Sequence, residues 1–149
     1  MDSRQILKRK ATAAILRGAN LWRRLAERAL ADEGISAARA DVLIWLYRLG
    51  GGLRQVQLAD AIGQSSNALV RLLDELSAAN LIERKPDEKD RRANAIWLTV
   101  EGEIMAARAE EILVGLRDKV LVDAADSDLE AIVRLHETIS ASITDRVDE

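Results

Sequence analysis

The sequence predicts a mainly α-helical protein that carries one small β-hairpin. Apolar residues recur every three to four positions through most of the 149 residues, which is the spacing of amphipathic helices. Residues 82–85 and 95–98 instead favour two short strands joined by a charged loop. With 48% hydrophobic residues, the chain can bury a core without disulfides or metal ions.

Long helical segments open the chain. Residues 3–31 are rich in Ala, Leu and Arg and contain no proline, and Gly34 is expected to end this helix. Ser36 is the expected N-cap of a second helix up to residue 49, which is apolar almost all round and therefore predicted to be buried. Glycines 50–52 then indicate a turn, because no GK[ST] pattern of a phosphate loop follows them.

The middle of the chain predicts two short helices joined by a tight turn. Residues 54–62 form the first helix, Gly63 ends it, and Ser65 can cap a second helix to residue 78. Four leucines of the second helix are expected to face the core: Leu69, Leu72, Leu73 and Leu76. At about 100° per residue, three polar residues fall on the opposite face: Asn67, Arg71 and Asp74.

The predicted hairpin follows this helix pair directly. Asn80 suits the left-handed end of the second helix, and the loop between the strands contains Pro86 and six charged residues at 87–92. A helix pair followed by a charged hairpin is the layout of a winged helix-turn-helix, which lays its second helix in the DNA major groove. DNA binding is therefore the leading hypothesis.

Two further helices are predicted after the hairpin. Thr99 can cap a helix over residues 100–121, and Ser127 with Glu130 forms a capping-box pattern that opens a last helix to about Arg146. The apolar stripe of this last helix consists of Leu129, Ile132, Val133, His136, Ile139 and Ile143. A histidine on such a stripe is expected to be a core or interface residue rather than a pH sensor.

Composition argues against several classes of function. The chain has no cysteine and one histidine, so thiol redox chemistry and the usual zinc sites are excluded. The sequence also lacks GxSxG, paired histidines and a phosphate loop, and we expect no enzyme, no metal and no cofactor. Apolar runs are too short to span a bilayer and no secretion signal is present, so we expect a cytoplasmic protein.

Charge is unevenly distributed along the chain. Residues 1–30 carry +6, residues 31–53 carry −1, residues 54–100 are neutral and residues 101–149 carry −8, for a net charge of −3. An acidic tail can lie far from a DNA-facing surface, so the overall charge does not refute DNA binding. The neutral balance of residues 54–100 keeps an alternative open, namely a winged-helix protein-interaction module that does not bind DNA.

The chain resembles the MarR family of bacterial transcriptional regulators. The resemblance is carried by QLADAIG at 57–63, by the pattern of Leu69, Arg71, Leu72, Asp74 and Leu76, by LIER at 81–84 and by DRRANAIWLT at 90–99. Within the family, QLADAIG and LVRLLDEL are most similar to the SlyA-like branch. Asn80 stands where the family usually has glycine.

This resemblance implies a homodimer on double-stranded DNA. Residues 1–35 and 100–149 would form a helical dimerisation lobe, and residues 36–99 would form the winged helix-turn-helix domain. The pair of winged domains would bind a palindromic operator, with repression as the expected activity. Family members often release DNA when a small aromatic or phenolic effector binds between the lobes.

Candidate DNA contacts lie first on the second helix. Arg71 can make a bidentate contact with guanine, although an arginine paired with Asp74 or Glu75 is the plainer alternative. Asn67 could read adenine, and Ser65 and Ser66 could bind phosphate, although Ser65 equally suits a helix cap. Gln64 and Arg54 are predicted phosphate contacts.

The hairpin supplies the remaining DNA candidates. Arg92 at its tip is the predicted minor-groove residue, and Asp90 is expected to orient it through an ion pair. Four further cations are predicted backbone contacts: Arg84, Lys85, Lys89 and Arg91. The alternative is a solvated charged loop, and the spacing of Asp90, Arg92 and the strand residues favours the DNA reading.

An effector pocket is the last candidate site. Trp22, Trp45 and Tyr47 could line it, with Arg17 or Arg48 as the partner of a carboxylate. Large aromatic residues at helical spacing equally suit an ordinary core. Trp97 is expected to cover the strand pair.

Overall fold

The computed structural model describes residues 1–144, which contain six α-helices and a three-stranded antiparallel sheet. The predicted class, mainly α with a small β-hairpin, is confirmed. No helix in this part of the chain is long and apolar enough to cross a membrane. The elements are α1 (Ser3–Leu30), α2 (Ala37–Leu49), β1 (Leu53–Arg54), α3 (Gln55–Ile62), α4 (Ser66–Ala78), β2 (Ile82–Pro86), β3 (Asn94–Leu98), α5 (Val100–Val120) and α6 (Asp126–Thr144).

The chain divides into two compact units, Met1–Leu116 and Arg117–Glu149. Leu30 of α1 and Ala106 of α5 are buried in one core with residues of α2, α3 and α4, because the apolar faces of all these helices converge there. The assignment of the end helices to a dimerisation lobe stays a prediction.

The turns around α2 form as local sequence predicts. Gly34 has φ +68°, a left-handed conformation that ends the preceding turn, and the Ser36 hydroxyl accepts a hydrogen bond from the Arg39 amide at 3.2 Å. Burial of α2 is less complete than predicted. Tyr47 and Leu49 are about half exposed, because they lie on the side of the last turn that faces away from the core.

The sheet contains a strand that the sequence did not reveal. The sequence assigns Arg54 to a helix and Leu53 to no element, but the two residues pair with Ala95 and Ile96 as β1, so the strand order is β1-β3-β2. Two residues are too few to show alternation, and only the neighbouring strand defines them. Pro86, expected in the loop, is the last residue of β2.

The start of α5 packs against the end of the helix-turn-helix. Asn80 has φ +60°, as predicted for the left-handed position after α4. The Thr99 hydroxyl accepts from the Gly102 amide at 3.0 Å and donates to the Asn80 carbonyl at 2.8 Å. The predicted cap at Thr99 is confirmed, and the same side chain links α5 to this turn.

The helix α6 begins one residue before the position that was predicted to cap it. The Ala125 carbonyl accepts from the amides of Asp128 and Leu129, so Ser127 lies inside the first turn and the predicted capping box is wrong. The predicted end near Arg146 lies outside the described residues. His136 is exposed in the single chain, which rules out the core alternative. The apolar residues of the stripe are exposed as well: Leu129, Ile132, Val133, Ile139 and Ile143.

Candidate nucleic-acid interface

The helix α4, the second of the helix-turn-helix, is amphipathic in the predicted sense. All four of its predicted core leucines are buried, and Asn67, Arg71 and Asp74 are exposed. Ser65 caps the helix through its hydroxyl, which accepts from the Ala68 amide at 3.3 Å. Ser66 is also exposed, and Gln64 is half-buried in the turn before the helix. The first turn of α4 therefore presents amide and hydroxyl donors that suit phosphate oxygens.

Arg71 lies in the middle of the exposed face of α4. Its side chain is 78% exposed and its Nε atom is 4.0 Å from Glu75 one turn later. The Glu75 carboxylate also lies 3.6 Å from Arg39 of α2. An ion pair at this distance on an exposed helix face is weak, so the Arg71 guanidinium can exchange it for a base edge.

The face of α4 continues into the hairpin through an ion pair. Arg84 of β2 donates to Asp74 Oδ1 of α4 at 2.7 Å. The sequence predicted Arg84 as a backbone contact and Asp74 as an alternative partner of Arg71. In the structure the two residues instead pair with each other, so the hairpin lies beside the exposed polar face of α4.

The wing loop, residues 87–93, has an ordered internal structure. The Asp87 amide donates to the Ala93 carbonyl at 2.8 Å, and the Asp87 carboxylate accepts from the Lys89 amide at 3.0 Å. Asp90 accepts from the Arg92 amide at 3.1 Å and lies 3.5 Å from the Arg92 guanidinium. The predicted Asp90–Arg92 pair is therefore present, and it holds an arginine whose side chain is 94% exposed.

Arg54 has a partner in the wing. Its Nε atom donates to Asp87 Oδ2 at 2.6 Å, although the two residues are 33 positions apart. The hydrogen bond from the Lys89 amide and then that from Arg54 lower the pKa of Asp87, and the same pair raises the pKa of Arg54. The geometry therefore gives Arg54 a link to the wing, and its predicted phosphate contact stays a prediction.

The remaining cations of the hairpin differ in whether a carboxylate lies close to them. Lys85 lies 3.3 Å from Glu83 and 6.0 Å from the centre of the Trp97 ring. Lys89 and Arg91 form no ion pair within residues 1–144. Of the candidate backbone contacts, these two present the least compensated charge.

The predicted effector residues differ in their exposure and in their partners. Arg17 is exposed, Trp22 is half-buried, and Trp45 packs against the core. Arg48 pairs with Glu110 and lies 5.9 Å over the Trp45 ring. Its charge is thus already matched by a carboxylate. The effector assignment of these residues remains a prediction.

Asp87 and Trp97 have structural roles that sequence reasoning missed. Asp87 was counted only as one charge of the loop, since a contact over 33 positions leaves no periodic signal. Trp97 was expected only to cover the strand pair, but its ring lies against the glycine turn, close to Gly51 and Gly52. The run of three glycines was the available signal, because a turn without side chains lets a large ring approach the backbone.

The fold and this surface define a winged helix-turn-helix protein whose second helix and wing are exposed. A sequence profile of the MarR family matches residues 33–93, which include α2 to α4 and most of the hairpin. The structure is also similar to that of the transcriptional regulator PA3341, at 30% sequence identity and a TM-score of 0.79. That match covers 90% of this chain and 98% of the other.

Two more distant structures share the fold. CouR from Rhodococcus jostii RHA1, bound to p-coumaroyl-CoA, is 22% identical with a TM-score of 0.76, and the match covers 84% of this chain and 87% of CouR. A mutant MarR from E. coli, complexed with operator DNA, is 22% identical with a TM-score of 0.72, and the match covers 85% and 91%. The chain belongs to the MarR family of winged-helix transcription regulators.

Proposed function

We propose that the protein is a homodimeric repressor that binds a palindromic operator through α4 and the wing. One observation carries this proposal, namely the continuous exposed surface that runs from Asn67 and Arg71 through the Asp74–Arg84 pair into the wing. An exposed polar helix face can enter the major groove while an adjacent hairpin reaches the minor groove. The operator half-sites are expected about 10 base pairs apart, centre to centre.

In this proposal α4 reads bases and its first turn binds the backbone. Arg71 donates to O6 and N7 of a guanine, and Asn67 bonds an adenine edge. Ser65, Ser66 and Gln64 bind phosphate, which suits a helix N-terminus because its free amides carry partial positive charge. The Ser65 hydroxyl can cap the helix through its oxygen and donate its proton to phosphate at the same time.

The wing supplies charge in the flanking groove. Arg92 enters the minor groove with its guanidinium oriented by Asp90, and Arg91 and Lys89 bind phosphates. Lys85 is a further phosphate ligand, at the end of β2 next to the wing loop. Arg54 and Arg84 contribute to DNA binding mainly because their ion pairs with Asp87 and Asp74 hold the hairpin in place.

Homodimer formation is supported by the apolar surface of α6. Ile132 and Ile143 are more than 60% exposed, and no residue of α6 up to Ile143 is buried in the single chain. A helix with such a stripe is stable in water when a second apolar surface covers it. A second copy of the chain is the partner that a palindromic operator requires.

Two structures of relatives with bound molecules support a small-molecule effector and DNA as the target of this chain. CouR was solved with p-coumaroyl-CoA, and the E. coli MarR mutant was solved with operator DNA. We infer an aromatic effector for this chain as well, with Trp22 and Trp45 as stacking surfaces and Arg17 or Arg48 as the anion partner. A thermal-shift screen of phenolic acids, followed by a test of DNA release, identifies the compound. Within the family we place the chain in the SlyA-like branch, and we expect it in the cytoplasm.

The test compares Arg71→Ala with Arg91→Ala on an operator selected from genomic fragments, beginning with the chain's own upstream region. Arg71→Ala should relax base preference at one position per half-site by about 1–3 kcal/mol, because a bidentate contact is lost. Arg91→Ala should weaken all sequences alike and reduce the slope of log affinity against log salt by about 1. Fluorescence anisotropy at several salt concentrations measures both effects.

Two outcomes contradict the proposal. If Arg71→Ala keeps the base ranking of the natural protein, then Arg71 does not read sequence. If the natural protein protects no genomic segment in footprinting, the winged module acts on another protein, which is the alternative that the neutral charge of residues 54–100 suggests.

A further inference from the structure

We propose that the Arg54–Asp87 ion pair positions the wing for DNA, so that a carboxylate in the DNA-facing loop strengthens DNA binding. The inference rests on the proposed function and adds a positioning role to it. Arg54 ends β1 and precedes α3, whereas Asp87 follows β2 at the base of the wing. The pair therefore joins the wing to the first helix of the helix-turn-helix.

Both partners are held in place by other bonds. The Asp87 carboxylate accepts from the Lys89 amide at 3.0 Å, and the Asp87 amide donates to the Ala93 carbonyl at 2.8 Å. The Arg54 amide donates to the Gln57 side chain at 2.9 Å in the first turn of α3. Since each partner is anchored to its own element, the 2.6 Å contact between them fixes the position of the wing relative to α3.

A surface cleft, and not a layer of packed apolar side chains, separates the hairpin from the start of α3. The cleft has a volume of about 760 Å³ and lies between the start of α3 and the face of the hairpin. Val56 and Gln57 line one side, and Lys85 and Trp97 line the other. Because this space is open, side chains that meet at its edge have a large effect on the wing position.

Arg54 and Asp87 reach each other across the edge of this cleft. The Asp87 side chain is only 17% exposed although it belongs to a charged loop, and the Arg54 side chain that binds it is 42% exposed. A second ion pair, Arg84–Asp74 at 2.7 Å, holds β2 against α4. The hairpin is thus fixed to each helix of the helix-turn-helix by one arginine–carboxylate pair.

Electrostatics makes the role of Asp87 unusual. A carboxylate near phosphates opposes DNA binding, so removing its charge should strengthen binding if charge alone matters. Paired with Arg54, however, the carboxylate adds little net charge and restricts the wing. Its lowered pKa shows that the folded protein stabilises the charged form.

The experiment compares Asp87→Asn with Glu88→Gln in the full chain on the selected operator. Both substitutions remove one negative charge from neighbouring positions, and Glu88 is exposed and forms no ion pair within residues 1–144. Asp87→Asn should bind about threefold to thirtyfold more weakly, because the wing loses its link to α3. Glu88→Gln should bind equally well or up to about twofold more tightly.

A second variant separates the link from simple damage to the loop. Arg54→Lys keeps a cation opposite Asp87 and should retain most of the affinity, whereas Arg54→Gln should match the loss in Asp87→Asn. Both losses should leave the preference for bases at the Arg71 position unchanged. Residual dipolar couplings of the hairpin amides should show a wing reoriented relative to α3 in Asp87→Asn and unaltered in Glu88→Gln.

The proposal is overturned if Asp87→Asn binds as tightly as Glu88→Gln, or if its couplings match those of the natural protein. It is also overturned if Arg54→Lys binds as weakly as Arg54→Gln. Failure of the natural protein to bind any DNA refutes the proposed function instead. The couplings then still decide whether the pair orients the wing.

Discussion

Gly102, in the first turn of α5, determines how closely that helix approaches the turn after α4. A Cβ atom at this position would overlap the Leu81 carbonyl oxygen, and it would also lie 3.3 Å from Leu98 Cδ2. The same carbonyl accepts from the Thr99 amide at 3.1 Å. A backbone oxygen that is already held by a hydrogen bond cannot move aside easily, so only glycine fits.

Gly102→Ala should therefore destabilise the protein by about 3 kcal/mol, since α5 must shift away from Leu81. Gly115→Ala is the matched control on the same helix, because an added Cβ there meets nothing within 4 Å. The control should be more stable by about 0.5–1 kcal/mol, as alanine is the better helix former. Urea unfolding of both variants measures the difference, and equal stabilities would refute the close contact.

The net charge of the wing loop does not show how its charged residues are paired. Residues 87–92 contain three acidic and three basic side chains, which as a sequence suggests a neutral solvated loop. In the structure Asp87 is matched by Arg54 from outside the loop, and Asp90 is matched by Arg92. Lys89 and Arg91 remain without an ion pair in the described chain, so the loop surface is more positive than its composition.

The pKa of Asp87 should lie below its usual value of 3.8, and Arg54→Gln should raise it. The Lys89 amide and the Arg54 guanidinium both bind the charged form. Because the folded pKa is the lower one, the resulting stabilisation is complete above the unfolded pKa. It disappears only as the pH falls through the folded pKa, so it should be constant between pH 8 and about pH 5.

Carboxyl carbon shifts of Asp87, followed by NMR from pH 7 to pH 2, test this expectation. Glu88→Gln serves as the control, because it leaves both hydrogen bonds to Asp87 in place. An Asp87 pKa at the ordinary value in the natural protein, or one that Arg54→Gln leaves unchanged, would show that the pair does not form in solution.

At the scale of the whole molecule, apolar surface and charge support the proposed homodimer. Residues 1–30 carry a net +6 and residues 101–149 a net −8. Large apolar side chains are exposed on both α1 and α6, including Leu7, Leu16, Ile132 and Ile143. Complementary charge and uncovered apolar area are what two copies of one chain need in order to associate through these helices.

Ile132→Glu should weaken the dimer by at least about tenfold, because it places an unpaired charge in the apolar stripe of α6. Ser127→Glu, which introduces the same side chain in the first turn of the same helix, should leave the dimer intact. Sedimentation equilibrium across a dilution series measures both association constants. If both variants associate as the natural chain does, the stripe is not the interface.

Local signals predicted most elements because each depends on residues that are close in sequence. The leucines of α4, the cap at Ser65, the turn at Gly63 and the left-handed Asn80 all follow from spacing or from backbone preference within a few positions. The start of α6 was predicted two residues late. Ser127 and Glu130 match the capping pattern, but in the structure Ala125 precedes the helix and its carbonyl accepts the first helical hydrogen bonds.

The candidate site was predictable in its residue types but not in its pairings. Arg71, Asn67 and the wing cations were found from the helix face and the charged hairpin. The partners of Arg54 and Arg84 were not, because each pair joins segments that approach each other only after folding. The strand β1 was missed for the same reason, since its two residues are defined by β3.

The sequence by itself therefore determined a helical, winged DNA-binding module, because side-chain periodicity, caps and glycine turns act over one or two helical turns. Only the tertiary structure decided which charges remain available to a nucleic acid and which ones hold the wing in place. The reason is that an ion pair depends on a distance of a few ångströms in space, and residues 54 and 87 acquire that distance only when β1, α3 and the hairpin pack together.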